Sequence, residues 1–99
     1  MKLQNVVVAP ASSKYKYIAI FYNPDTKRTK STGFGAKGYS DYTMHRDKKR
    51  RERYRIRHEK DLRTNDPTRA GFLSYYLLWG QSISLQQNLK LYKQRFHLY

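Results

Sequence analysis

The stretch from Met44 to Arg63 carries ten Lys or Arg residues (Arg46, Lys48, Lys49, Arg50, Arg51, Arg53, Arg55, Arg57, Lys60, Arg63) and four acids (Asp47, Glu52, Glu59, Asp61). Apolar positions from Tyr42 to Lys60 are sparse: Tyr42, Met44, Tyr54 and Ile56. With Ser40 or Asp41 as a cap, the spacing predicts one long basic helix ending near Lys60. Such a helix can bury only a narrow stripe, so it lies exposed or bridges partners. The core must come from elsewhere in the chain. With 99 residues it is a single small core, because a chain this size buries only about 60–65% of its unfolded surface.

Two other regions can supply that core. Lys14 to Tyr22 (KYKYIAIFY) is β-branched and aromatic, with Ile18, Ile20 and Tyr22 on one face and Tyr15, Tyr17, Ala19 and Phe21 on the other. Apolar side chains on both faces suggest that one side packs on the domain and a partner covers the other. Asn23-Pro24-Asp25 is turn chemistry, and a return strand from about Arg28 to Phe34 completes a hairpin. Farther on, Asp66-Pro67 reads as a helix start and Gly80 as its stop, with Ala70, Leu73, Leu77, Leu78 and Trp79 between them. Ser82 or Ser84 then caps a last amphipathic helix built on Leu85, Leu89, Tyr92 and Phe96.

The fold class expected is therefore α+β: an N-terminal β-hairpin, a long basic helix, then a pair of amphipathic helices. Residues 1–13 read as an extended arm and linker, and residues 14–99 as a single basic domain. Within the arm, Val6, Val7 and Val8 are β-prone and suited to adding a strand to a neighbour's sheet edge.

Net charge is +14, yet 15% of residues are aromatic, which distinguishes the chain from a disordered basic tail. There is no cysteine, so thiol chemistry, disulfides and cysteine-based zinc sites are excluded. No apolar run reaches the ~18 residues of a membrane span. Gly33-Phe34-Gly35-Ala36-Lys37-Gly38 has neither phosphate-loop nor dinucleotide-fold spacing, and reads as a tight backbone crossing. His45 and His58 would sit about 20 Å apart on one straight helix, too far to share a metal. The acids interleave with Arg at helical spacing, as Asp47 does with Arg50 and Arg51, which reads as helix-stabilising pairing. No catalytic residue, cofactor, metal or small-molecule substrate is expected.

The run Phe34-Gly35-Ala36-Lys37-Gly38-Tyr39-Ser40-Asp41-Tyr42-Thr43, followed by His45, Arg46-Asp47-Lys48, Arg53-Tyr54 and Arg57-His58, resembles a family of small basic proteins of unknown function. That family is found chiefly in large DNA viruses of algae and protists. Asp66-Pro67-Thr68, Ala70-Gly71, Ser74, Leu78-Trp79, Ser82-Ile83 and Tyr92-Lys93-Gln94-Arg95-Phe96 extend the resemblance, which covers roughly residues 16–96. The chain departs from the pattern at Asp61-Leu62-Arg63-Thr64, where an acid and a Trp are usual, and at Tyr75-Tyr76, where Arg-Trp is. The resemblance implies a setting rather than a chemistry: a virus particle or an infected cell.

Two functions compete. One is a non-catalytic minor capsid or virion protein that clamps larger subunits with acidic surfaces. The other is a nucleic-acid-binding protein that condenses or tethers DNA; neutralising about six phosphates would give a log–log salt slope of roughly −5. In both, Arg46, Lys48, Lys49, Arg50, Arg51, Arg53, Arg55 and Arg57 face the partner. The clamp adds Tyr15, Tyr17 and Phe21 as a covered sheet face and Val6 to Val8 as the arm. The expected location is the virion, the shell rather than the core, or else the cytoplasm or nucleus of the infected cell.

Overall fold

A computed structural model describes residues 5–99. Three antiparallel strands, β1 (Asn5–Pro10), β2 (Tyr15–Asn23) and β3 (Arg28–Ala36), form one sheet in sequence order. The expected hairpin is β2–β3, with Tyr17 opposite Phe34 and Asn23 opposite Arg28. Asn23 Oδ1 accepts the Asp25 amide at 2.9 Å, the Asx bond that closes the turn.

The arm requires a correction. Met1–Gln4 lie outside the described residues, but Val6, Val7 and Val8 belong to β1 and pair in register with Phe21, Ile20 and Ala19 of the same chain. Val6 is buried, Val8 packs against the core, and the Val6 amide donates to the Tyr99 carbonyl at 2.9 Å. The third strand extends the apolar face that a lone hairpin could not bury stably.

The long basic helix is divided. Asp41 caps a single turn, α1 (Tyr42–His45), which ends at Arg46 in the left-handed region with φ 59°. Asp47 then caps α2 (Lys48–His58), its carboxylate accepting from the Lys49 and Arg50 amides. A 3₁₀ segment, Glu59–Thr64, continues from α2. Asp47 thus serves α2 as a cap, and those bonds from the backbone hold its carboxyl below the usual range.

Asp66-Pro67 forms a turn closed by the Arg69 amide on the Asp66 carbonyl, and the next helix starts later, at Ala70. Helix α3 (Ala70–Leu73) widens into a π-helical segment, Ser74–Leu78, where the Trp79 amide reaches back to the Ser74 carbonyl. Ser84 caps α4 (Leu85–Arg95) as expected. The buried Asn88 joins these two pieces: its Nδ2 donates to the Leu77 and Ser82 carbonyls and its Oδ1 accepts the Ser82 amide. The core lies between the sheet and these helices and contains Val6, Ala19, Phe21, Phe34, Leu73, Leu77, Leu78 and Tyr92.

Candidate functional site

Helix α2 has three distinct sides. Arg51 and Arg55, one turn apart, face inward. Arg51 Nε donates to the Gly80 carbonyl at 2.5 Å, and Arg55 donates to the Trp79 carbonyl at 2.8 Å while its guanidinium lies 4.1 Å from the Tyr75 ring centroid. These carbonyls sit where the π-helical segment ends, so the two arginines satisfy acceptors that no longer have a helical partner. Burial makes the Arg55 charge less favourable than it is in water.

A second side carries Arg50, Tyr54, Arg57 and His58, spaced as one helical face. It borders a cleft of about 490 Å³, whose opposite wall is formed by Lys16, Gly35, Ala36, Tyr39, Ser40 and Asp41, with Leu78 and Trp79 among the remaining lining residues. Tyr54 stacks on Trp79 at 4.2 Å, nearly parallel at 5°. His58 stacks on the outer side of Tyr54 at 4.1 Å, and His45 lies 5.2 Å from Trp79. Burial pushes the Tyr54 hydroxyl pKa up to about 12, so the ring is neutral. Within the cleft Lys16 is paired with Asp41 at 2.6 Å, and the His58 ring nitrogen Nδ1 lies 3.0 Å from the Asp61 carboxylate. Arg50 and Arg57 are exposed and in no ion pair among the described residues.

The third side, with Lys48, Lys49 and Arg53, faces solvent, as does Arg46 at the break before the helix. The eight expected partner-facing cations therefore divide. Arg51 and Arg55 brace the fold, Arg50 and Arg57 line the cleft, and Arg46, Lys48, Lys49 and Arg53 are exposed and in no ion pair among the described residues.

The expected aromatic face is also corrected. Phe21 is fully buried, and Tyr17 stacks on Phe34 at 5.8 Å, so both face the chain's own helices. Tyr15 instead lies against Gly33, on the side away from the helices, where any side chain at Gly33 would collide with its ring. The open face is the alternate set, with Val7 60% exposed and Ile20 and Tyr22 each 36% exposed, beside Ile18.

Sequence reasoning missed the cleft because its walls come from segments far apart in the chain. The signal within reach was the Arg50, Tyr54, Arg57, His58 spacing, which places two aromatic rings among cations on one face. Among the described residues, no group of three or more His, Asp or Glu is placed to hold a metal, and no helix is long and apolar enough to cross a membrane.

No curated protein and no solved structure matches the chain. One family does match, across residues 6–58, from β1 through the cleft's glycine-bearing wall to the end of α2. With more than half its length matched, the chain belongs to this family of unknown function, DUF5754.

Proposed function

We propose that the protein is a non-catalytic architectural component that joins larger subunits in the shell of a large-DNA-virus particle, a particle being one of the two settings that its resemblance implies. One observation carries this reading. Among the described residues the chain leaves two unlike surfaces open: an apolar sheet face of Val7, Ile20 and Tyr22 with the half-buried Ile18 beside them, and the cations Lys48, Lys49 and Arg53 of α2, which make no ion pair. A bridge between acidic subunits uses both, with the apolar face giving contact area and the cations giving register and charge complementarity.

Nucleic-acid binding is the second reading, favoured by Arg46, Lys48, Lys49 and Arg53, which are exposed on and beside one helix and in no ion pair among the described residues. It assigns no role to the apolar sheet face, which is why the bridge is preferred.

The readings separate when retention on purified particles is measured after washing at about physiological salt, where the Debye length is about 8 Å. One variant carries Lys48→Gln, Lys49→Gln and Arg53→Gln, and the other carries Val7→Ser and Ile20→Ser. The bridge reading expects both to be released more readily than the parent protein. Release of the cation variant alone, with the sheet variant fully retained, contradicts it and supports nucleic acid as the target.

A further inference from the structure

The cleft between α2 and the 35–41 segment has a composition that neither of these surface readings requires. Lys16, Arg50 and Arg57 bring three cations to it and Asp41 one acid, leaving a surplus of two positive charges. The surplus resides on Arg50 and Arg57, because Lys16 is bound to Asp41. These arginines are seven residues apart on α2, about 10 Å along its axis, with the Tyr54 ring between them. The Tyr54 ring is covered on both faces, by Trp79 on one and His58 on the other, while His45 lies tilted at 54° to Trp79. What Tyr54 turns toward the cleft is therefore an edge, the electropositive part of an aromatic ring.

We infer that this cleft binds a nucleoside monophosphate, either free or as the phosphorylated end of a nucleic-acid strand. Three features of the site lead there. A phosphomonoester carries about −1.5 to −2 charges near neutral pH and matches the surplus on Arg50 and Arg57, whereas a single carboxylate leaves one arginine uncompensated. The volume of about 490 Å³ is far larger than a lone phosphate needs and lies within the range of small-molecule sites, so the anion must bring a body with it. That body meets both apolar and polar lining: Leu78 and the 73% exposed Tyr39 ring, together with Ser40 and Ser74. A sugar and base offer hydrogen bonds to such hydroxyls, whereas the phenyl ring of a phosphotyrosine offers none.

Trp79 is the only tryptophan, so its emission reports on this cleft without a label. The full chain is titrated at about physiological salt with AMP, adenosine, inorganic phosphate and phosphotyrosine. The expected result is a saturable change with AMP, binding at least tenfold weaker with inorganic phosphate or phosphotyrosine, and no saturable change with adenosine. Arg50→Gln and Arg57→Gln should each weaken AMP about tenfold. Lys90→Gln, in a separate depression on α4, should leave it unchanged. Unaltered far-ultraviolet circular dichroism of the arginine variants establishes that a loss is local.

An oligodeoxyadenosine with and without a 5′-phosphate distinguishes the sources. Tighter binding of the phosphorylated strand than of AMP assigns the site to strand ends, and equal or weaker binding assigns it to free nucleotide. No saturable AMP response, phosphotyrosine binding tighter than AMP, or AMP binding that survives both arginine changes would overturn the inference.

Discussion

Arg53 and Arg55 are two residues apart on the same helix and identical in chemistry, yet one meets water and the other meets the Trp79 carbonyl and the Tyr75 ring. Losing a charge-assisted hydrogen bond and a cation–π contact at a half-buried site costs about 2–3 kcal/mol. Arg55→Ala should therefore lower unfolding free energy by about that amount, while Arg53→Ala changes it by less than about 0.5 kcal/mol, as read from urea denaturation. Nothing in the basic run distinguished these residues, because the acceptors lie more than twenty positions away in the chain.

His45 gives a second test at the same scale. Its Nδ1 accepts the Asp47 amide at 2.9 Å, which requires the neutral ring, and its buried Nε2 has no hydrogen-bond partner among the described residues. Burial and then the Arg50 charge, with a smaller effect from Lys16, lower its pKa below 6.5, outweighing the opposite pull of Asp47 and Asp41. The unfolded chain thus binds this proton more readily than the folded one. Stability from this site is complete above the unfolded value and declines as pH falls through 6.5 toward the lower folded value. Melting temperature measured between about pH 7.5 and 5.5 should fall less steeply for His45→Gln, whose amide oxygen can accept the same bond without titrating.

At the scale of elements, local chemistry was legible and long-range pairing was not. The β2–β3 hairpin and its Asn23 turn, the Asp41 cap and the Ser84 cap follow from short-range patterns. The break at Arg46 hid inside a run of helix formers; the signal available was Asp47, a capping residue in mid-run. The π-helical widening at Ser74–Leu78 has no local sequence signature. The destination of β1 was also hidden: a β-prone Val6-Val7-Val8 run states that it will pair, but its partner is fixed by burial against Phe21 and Ala19 across the fold. Val6→Ala should accordingly cost about 1–2.5 kcal/mol, the loss of two buried methyls plus the space they leave. Val7→Ala, on the open face, should leave stability within about 0.5 kcal/mol. Equal effects of the two in thermal or urea unfolding would place β1 off the sheet.

At the scale of the whole molecule, the sequence showed excess charge and apolar residues on both strand faces, and the structure determines which of them are spent internally. Phe21, Tyr17, Arg51 and Arg55 are consumed by the fold, and Val7, Ile20, Tyr22, Lys48, Lys49 and Arg53 are left outside it. The sheet face was legible as apolar but assigned to the wrong side, because alternation gives two faces without saying which one the helices will cover. The proposed bridge depends on those uncovered residues meeting larger acidic subunits. Lysine cross-linking with mass spectrometry on purified particles tests this most directly by identifying what Lys48 and Lys49 touch. The bridge predicts cross-links to shell subunits at defined sites rich in Asp and Glu. Cross-links confined to core nucleoproteins, or absence of the protein from the particle, would contradict it.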